Sequence, residues 1–276
     1  MFIERYIELL RPSNFVITVM SVFVSCLLAG GDAGHTPAMI LASLAAGLIG
    51  GGGMVINDIF DVGIDRINKP ERPLPRGAVT LRSAAVFYAL LTSVGLLLNL
   101  FLHSVAQVIA AGAVVLIFFY SYRLKSTPLF GNVTVGLLTG LAFIYGGAAV
   151  GNIDRAIIPA IFALLINIGR ELIKDMEDVE GDALHHASTF PVKFGMRPAL
   201  VVATLFLLAV VGSTIVPFAD HQYGVLYFVI VFVGVDCVVA FVLLSMWKNS
   251  SPKNLNKLSV ILKYDMLIGL IAIYLS

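Results

Sequence analysis

Long apolar stretches alternate with short polar ones along almost the whole chain. Nine of them are long enough to cross a bilayer as helices, which takes about 20 mainly apolar residues each. They run over 14–31, 37–58, 81–100, 104–121, 129–149, 156–174, 198–217, 223–246 and 257–275. Because a bilayer offers no water to backbone polar groups, the pattern predicts an all-α integral membrane protein with nine transmembrane helices.

Composition supports the membrane prediction. Of 276 residues, 59% are hydrophobic and 13% are charged, whereas about a quarter of a soluble domain is charged. The opening MFIERYIELLRPSNF contains two glutamates and no clear cleavage site, so it indicates an interfacial helix rather than a signal peptide. Cys26 and Cys237 lie in apolar runs and are expected to be core residues, with no disulfide or zinc site. Glycine runs such as GLIGGGGM favour close helix packing.

The basic residues fall on one side of this topology. With the spans numbered in order, the N-terminus and the loops after spans two, four, six and eight contain nearly all the lysines and arginines outside the spans, and the opposite side has only Arg155. Basic loops face the cytoplasm in membrane proteins. The N-terminus and these loops are therefore expected to be cytoplasmic, and the C-terminus to lie outside.

Two acidic patterns with the same spacing, D-x2-D-x3-D, follow spans two and six. Their members are Asp58, Asp61 and Asp65 in the first, and Asp175, Asp178 and Asp182 in the second. At about 100° per residue, each triplet occupies one helix face of roughly 60°. Asn57 extends the first face. Each pattern is thus an acidic stripe on the cytoplasmic end of a helix, and the topology places both stripes on the same side.

Oxygen ligands without neighbouring histidine or cysteine favour a hard cation such as Mg²⁺ or Ca²⁺. Mg²⁺ usually takes one or two carboxylates and completes its shell with water and phosphate oxygens. Two such stripes therefore predict a site for Mg²⁺ and a diphosphate. The basic residues beside them are candidate phosphate contacts: Lys69, Arg72, Arg76, Lys125, Arg170 and Lys174. A solvated helix end also explains one acidic stripe, and the topology rule explains most of the basic residues; the repeated spacing favours the metal site.

The motif sequences resemble a known family. NDIFDVGIDRINKPERPLPRG is similar to the first motif of the UbiA superfamily of intramembrane prenyltransferases, NDxxDxxxD, and DMEDVEGD is similar to the second. The resemblance covers the whole chain, 1–276, as a single domain. It implies nine helices bundled around a central cavity, motif loops that close the cavity on the cytoplasmic side, and a lateral opening for a prenyl chain.

Within that family, INKPERPLPRGAVT, GRELIKDMEDVEGD and HASTFPVKFG look most like archaeal digeranylgeranylglyceryl phosphate synthases. That branch implies transfer of a geranylgeranyl group from its diphosphate to the hydroxyl of geranylgeranylglyceryl phosphate. The first motif also resembles chlorophyll synthases, so an aromatic quinone precursor or chlorophyllide is the alternative acceptor. The family's YxxxK pattern is not matched, because FYSYRLKS offers Tyr120, Tyr122 and Lys125 at other spacings.

The resemblance implies a role for each motif residue. The catalytic carboxylates are Asp61, Asp65, Asp178 and Asp182. The Mg²⁺ ligands are drawn from Asn57, Asp58, Asp61, Asp65, Asp175, Asp178 and Asp182. The substrate contacts are Asn14, Asn57, Lys69, Arg72, Arg76, Lys125, Arg170 and Lys174. Three further positions have two interpretations each. Asn14 either lines the cavity or caps the first span, Asp236 is either functional or bonded to a neighbouring helix, and Lys263 and Asp265 form a pair or reach the acceptor.

Other functional classes fit less well. An ion-coupled transporter would place its acids near the bilayer midplane rather than at one interface. The single extended aspartate motif of CDP-alcohol phosphotransferases is not found, and a purely structural protein does not explain a duplicated stripe. The expected partners are a prenyl diphosphate, a lipid phosphate acceptor and membrane lipid, with no nucleic acid and no obligate protein partner. The expected location is the cell membrane, with the active site toward the cytoplasm.

Overall fold

The computed structural model describes residues 2–184 and 187–276, and in this part of the chain helices are joined by short turns without a strand. The helices are α1 (Phe2–Leu10), α2 (Pro12–Leu28), α3 (Thr36–Asn68), α4 (Leu81–Asn99), α5 (Ser104–Tyr122), α6 (Phe130–Ala149), α7 (Asp154–Glu177), α8 (Val179–Leu184), α9 (Phe190–Phe194), α10 (Met196–Ala219), α11 (Val225–Val231), α12 (Cys237–Lys248) and α13 (Pro252–Tyr274). His186, the first residue of the HASTFPVKFG stretch, lies outside the described residues.

Every predicted span is helical, and most ends agree within two or three residues. The largest difference is at α3, which continues ten residues beyond the predicted end at 58 and finishes at Asn68. The eighth span, Val225–Lys248, contains a π-helical turn at Phe232–Asp236 that separates α11 from α12. The all-helical membrane fold is therefore confirmed.

Within residues 2–184 and 187–276, seven helices are by themselves long and apolar enough to cross a membrane. An eighth span results if α1 and α2 are counted together, although they bend by 51° where they meet at Arg11. The ninth predicted segment forms α13, which contains Lys257, Lys263 and Asp265 and is not among these seven helices. A chain with this many apolar helices is a multi-pass membrane protein.

The helices form two compact units. The first consists of the chain up to Arg123 together with Leu141–Ile157, and the second of Leu124–Gly140 together with Ile158–Ser276. In the first unit α3 packs on α2, α4 and α5, and glycine allows the close approach. A Cβ at Gly52 would lie 2.7 Å from Thr92 Oγ1, and one at Gly95 would lie 3.1 Å from the Ala45 carbonyl oxygen. The glycine run is thus a packing surface, as its sequence indicates.

Many large apolar side chains are exposed on the spanning helices, for example Val86, Val108 and Leu244. Exposed aliphatic faces on long helices are typical of contact with lipid.

Cys26 is buried in the first unit, as expected for a core residue, whereas Cys237 is exposed, so the core assignment of Cys237 was wrong. Its side chain points outward because the buried face at that level belongs to Val235, Asp236 and Val239.

Candidate functional site

The first acidic stripe lies on one continuous helix. Asn57, Asp58, Asp61 and Asp65 all belong to the last three turns of α3. Asp58 and Asp65 are buried, at 3% and 4% exposed, whereas Asn57 and Asp61 are half-buried. The Asn57 side-chain amide donates a hydrogen bond to Asp61 Oδ2 at 2.8 Å. The i, i+4 spacing that defined the stripe therefore produces a direct contact along the helix.

Arginines compensate the two buried carboxylates of this stripe. Arg72 Nη1 donates to Asp65 Oδ2 at 2.5 Å and to Asp58 Oδ1 at 3.3 Å. Arg11 Nη2 also donates to Asp58 Oδ1. A guanidinium suits this position because its planar donors can serve two carboxylates at once. Arg72 therefore contacts the acidic stripe, while its role toward a substrate stays a prediction.

Arg11 belongs to the site, although the sequence did not indicate it. It lies between α1 and α2 with φ of 52°, a left-handed backbone conformation that is uncommon outside glycine. Its interfacial position had been explained by topology alone, and no local pattern connects it to an aspartate 47 residues away.

Asn14 lies in the first turn of α2 rather than before it, so the N-cap interpretation of Asn14 is wrong. Its amide faces Met54 Sδ at 3.8 Å.

The two other basic residues of this loop lie farther from the stripe. Arg76 donates to Glu8 Oε2 at 2.6 Å and to the Glu71 carbonyl at 2.8 Å. Lys69 follows the last residue of α3 and is exposed. The Lys69 backbone N–H donates to the Asp65 carbonyl at 2.8 Å, as expected for the residue that ends the helix. Through Glu8, Arg76 connects this loop to α1.

The second acidic stripe is not one helix, in contrast to the sequence expectation. Asp175 lies on α7, Asp178 is the single residue between α7 and α8, and Asp182 lies on α8. The backbone N–H of Asp178 still bonds to Lys174 O at 2.9 Å, and that of Asp182 to Asp178 O at 2.9 Å. Helical spacing is thus kept across the break, and Gly181, a residue of low helix propensity, follows three residues later within α8.

Neighbouring side chains hold the first and last carboxylates of this stripe. Asn132 Nδ2 donates to Asp175 Oδ2 at 2.7 Å, and Thr189 Oγ1 donates to Asp182 Oδ2 at 2.9 Å. Asp178, between them, is exposed. Sequence reasoning did not identify Asn132 or Thr189, because neither is part of an acidic or basic pattern.

The basic residues of the second stripe share one partner, Glu171. Arg170 Nη1 donates to Glu171 Oε1 at 3.0 Å, and Lys174 Nζ donates to both carboxylate oxygens at 3.0 and 3.1 Å. Arg170 Nε also donates to the Ser259 carbonyl on α13. Glu171 could have been found from the sequence, because RELIK places it three residues before Lys174 on the same helix face.

Lys125 lies in a short 3₁₀ turn, Leu124–Ser126, just before α6. A Cβ added at Gly131 would lie 3.1 Å from Lys125 Cα, so the start of α6 packs directly on this turn. Lys125 is half-buried. The turn and the second stripe belong to the same unit.

The donor chemistry of both stripes fits Mg²⁺. The side chains offer carboxylate and amide oxygens, which are ligands for a hard cation. Within residues 2–184 and 187–276, no three acidic, histidine or cysteine side chains form a ready-made metal cage. Mg²⁺ typically binds through one or two carboxylates and completes its shell with water and phosphate oxygens.

Two further carboxyl groups are buried deep in the second unit. Asp236 lies in the π-helical turn, with its two carboxyl oxygens 3.2 and 3.3 Å from Thr214 Oγ1 on α10, which supports the interpretation of Asp236 as bonded to a neighbouring helix. Asp265 is 2% exposed, and neither of its oxygens has a partner in the described part of the chain. Lys263 is exposed. The pair of Lys263 with Asp265 is therefore not formed.

Comparison with known proteins gives consistent matches over the whole chain. A model of the UbiA prenyltransferase family matches residues 18–264. A protein named digeranylgeranylglyceryl phosphate synthase from Thermococcus gammatolerans is 36% identical over 276 residues, covering 100% of this chain and 99% of the relative. One of the same name from Methanopyrus kandleri is 37% identical, covering 99% of each.

Solved structures agree with these matches. A structure described as concerning digeranylgeranylglyceryl phosphate synthase in membranes has a TM-score of 0.87 and 31% identity, covering 99% of this chain and 98% of that one. A structure described as a UbiA homolog from Archaeoglobus fulgidus bound to GPP and Mg²⁺ has a TM-score of 0.75 at 19% identity, covering 98% of this chain and 99% of that one. At that identity, the likeness concerns the fold.

Proposed function

Because the chain belongs to the UbiA prenyltransferase family, we propose that it transfers a geranylgeranyl group to the hydroxyl of geranylgeranylglyceryl phosphate. The donor is geranylgeranyl diphosphate, and the product contains the second ether bond of an archaeal membrane lipid. The observation that carries the proposal is the repeated stripe of carboxylates at the ends of α3 and α7–α8 in an intramembrane enzyme. The choice of acceptor is supported by the names of the relatives that match from end to end.

We assign the metal to oxygen ligands of the two stripes. The proposed Mg²⁺ ligands are Asn57, Asp58, Asp61, Asp65, Asp175, Asp178 and Asp182, of which Asp61, Asp65, Asp178 and Asp182 are the catalytic carboxylates. Asp61 and Asp178 are the best placed, because Asp61 is half-buried and Asp178 is exposed, whereas Asp58 and Asp65 are buried beside guanidinium groups. Mg²⁺, when bound, neutralises charge on the departing diphosphate.

The remaining site residues bind and orient the substrates. We propose that the contacts come from Asn14, Asn57, Lys69, Arg72, Arg76, Lys125, Arg170 and Lys174. Arg72 holds Asp58 and Asp65 in position beside the leaving group through its hydrogen bonds, and basic groups around it stabilise the developing negative charge. As the allylic C–O bond breaks, its electron pair leaves with the diphosphate. The acceptor oxygen then bonds to the allylic carbon and its hydroxyl proton is released, while apolar side chains exclude water.

The proposed membrane arrangement follows the distribution of basic residues. Residues 1–276 form one UbiA-like domain with nine spans, the N-terminus and both stripes face the cytoplasm, and the protein resides in the cell membrane. The nine spans include α2 despite its bend from α1, and α13 despite its charged residues. This arrangement brings the water-soluble diphosphate head to the cytoplasmic side, where Mg²⁺ is available.

An acceptor panel tests the proposal. Purified enzyme in detergent receives geranylgeranyl diphosphate, Mg²⁺ and one of three acceptors: geranylgeranylglyceryl phosphate, 4-hydroxybenzoate or chlorophyllide. We expect ether product with the glyceryl phosphate alone, and its loss in the Asp61→Ala and Asp178→Ala variants. Transfer only to the aromatic acid or the chlorin would keep the metal site and overturn the acceptor. Full activity in both aspartate variants would overturn the metal site itself.

A further inference from the structure

The second acidic stripe depends on support from outside its own helices. Asp178 lies at a break, and α8, which carries Asp182, has only six residues. An isolated helix of that length is unstable, because nucleation costs more than so few hydrogen bonds return. Two backbone hydrogen bonds cross the break, from Asp178 to Lys174 and from Asp182 to Asp178, and tertiary contacts add to them in fixing the stripe.

Two buried side chains supply those contacts, one at each end of the stripe. Asn132, at 5% exposed, donates to Asp175 across 43 residues of sequence at 2.7 Å. Thr189, at 6% exposed, donates to Asp182 at 2.9 Å. Each of the two outer carboxylates thus keeps one oxygen directed at a buried donor, and the exposed Asp178 lies between these two fixed points.

The hydrogen bond of Thr189 is made instead of an ordinary capping bond. Thr189 occupies the N-cap position of α9, with an extended backbone suited to capping. A threonine there usually accepts a hydrogen bond from a backbone N–H of the first helical turn. Its hydroxyl makes no such bond and donates to Asp182 instead. The Thr189 side chain therefore bonds to the acidic stripe and does not cap α9, the helix that follows it.

The two donors, Asn132 and Thr189, are both anchored by the same short turn of the chain. The Ser188 backbone N–H donates to the Ser126 carbonyl at 3.2 Å, which fastens the segment before Thr189 to the Leu124–Ser126 turn. The start of α6, which carries Asn132, packs on the same turn through Gly131. One turn of the second unit thus anchors both donors, and it also contains Lys125.

We propose that Asn132 and Thr189 are positioning residues, which hold the second acidic stripe in the geometry that binds Mg²⁺ for prenyl transfer. The inference rests on the proposed function. In metal sites, partners that hydrogen-bond to ligand carboxylates orient them and raise metal affinity, and their loss typically weakens binding about 10- to 100-fold. A merely structural role would lower stability without altering the metal requirement.

Matched variants separate the two roles. Thr189→Val removes the hydroxyl at nearly constant volume, Thr189→Ser keeps it, and Asn132→Leu removes the amide. We expect Thr189→Val and Asn132→Leu each to raise the Mg²⁺ concentration for half-maximal transfer about 10-fold, and Thr189→Ser to stay within about twofold of wild type. Thr134→Val is the control, because Thr134 is also buried on α6 and, among the residues that the structure describes, its hydroxyl bonds only to the Phe130 carbonyl of its own helix.

A second measurement needs no turnover. Mn²⁺ alone is added to the protein, and electron paramagnetic resonance of the free ion gives the strength of Mn²⁺ binding. It should weaken in Thr189→Val and Asn132→Leu and stay unchanged in Thr134→Val. Monodisperse Thr189→Val with wild-type Mg²⁺ requirement and Mn²⁺ affinity overturns the inference, as does equal weakening in Thr189→Ser. If Asn132→Leu does not fold, the Thr189 pair decides. If wild-type protein transfers nothing, the proposed function fails, whereas the Mn²⁺ comparison still tests the positioning role.

Discussion

Arg72 ties together two buried carboxylates of one helix. Its Nη1 atom lies 2.5 Å from Asp65 Oδ2 and 3.3 Å from Asp58 Oδ1, and both aspartate side chains are at most 6% exposed. Removing one partner of a buried ion pair leaves an uncompensated charge, which costs about 3–5 kcal/mol in fully buried cases. Because the Arg72 side chain is 21% exposed, the cost here should fall below that range.

We predict that Arg72→Ala lowers the free energy of unfolding by about 2 kcal/mol. Arg72→Lys should recover less than half of it, because the shorter lysine side chain does not carry its ammonium to the position of Arg72 Nη1 between the two carboxylates. Thermal unfolding of Arg72→Ala, Asp65→Asn and the double variant gives the coupling energy. Arg82→Ala, at an exposed arginine at the start of α4, serves as control. Additive effects of the two single substitutions would show that the pair does not stabilise the fold.

Removal of metal should abolish turnover without unfolding the protein. Arg11 and Arg72 form ion pairs with the buried carboxylates of the first stripe, so we expect the fold not to need a metal ion to neutralise them. We expect a chelator to reduce prenyl transfer to background and to change the melting temperature by less than about 2 °C, with activity restored by Mg²⁺. A large loss of melting temperature with the chelator would mean that the metal is part of the folded core.

Asp178 should be important for activity and unimportant for stability. It is exposed and lies between two helices, and exposed substitutions usually change stability by less than about 0.5 kcal/mol. We predict that Asp178→Asn reduces kcat/KM at least 100-fold, an effect of the size typical for loss of electrostatic stabilisation of a transition state. Asp154→Asn, at an exposed aspartate at the other end of α7, should leave both quantities unchanged. An Asp178→Asn variant that unfolds early but transfers normally would reverse the assignment.

The close packing of α6 and α7 gives a prediction about stability alone. A Cβ at Gly136 would lie 2.8 Å from the Leu164 carbonyl oxygen, a backbone atom that cannot move aside. Gly136→Ala should therefore destabilise the protein by about 1–3 kcal/mol, the usual cost of overpacking. Gly112 on α5 has nothing within 4 Å of a Cβ, so Gly112→Ala should be neutral or slightly stabilising. Melting temperatures of the two variants test this, and equal melting temperatures would contradict the packing argument.

The proposed topology can be tested by cysteine labelling. In a Cys237→Ala background, Glu71→Cys in the loop after α3 and Asp220→Cys after α10 place thiols at two exposed positions. We expect a membrane-impermeant maleimide to label Asp220→Cys in intact cells, and Glu71→Cys only after the membrane is opened. The reverse pattern would invert the orientation, and labelling of both from outside would contradict the span count.

The site was predictable from the sequence where local periodicity decides it. Asn57, Asp58, Asp61 and Asp65 are neighbours on α3 because their spacing matches the helical repeat, and the Asn57–Asp61 hydrogen bond follows directly. The same spacing in the second stripe did not predict the break at Asp178, since the carboxylates keep helical spacing on both sides of it. The partners of the carboxylates were not predictable, because Arg11, Asn132 and Thr189 reach them through contacts between different helices.

The sequence by itself determined that lipid surrounds most of the chain, that the fold is all-helical, and where along the chain the acidic stripes lie. A run of about 20 apolar residues has only one stable form in lipid, the helix that bonds its own backbone groups, so each predicted span is helical. Tertiary structure alone decided which charges distant in sequence compensate one another: Arg76 pairs with Glu8, whereas Arg11 and Arg72 pair with Asp58. A basic residue in a loop has several acids within possible reach, and the packing of the helices leaves it only one or two of them.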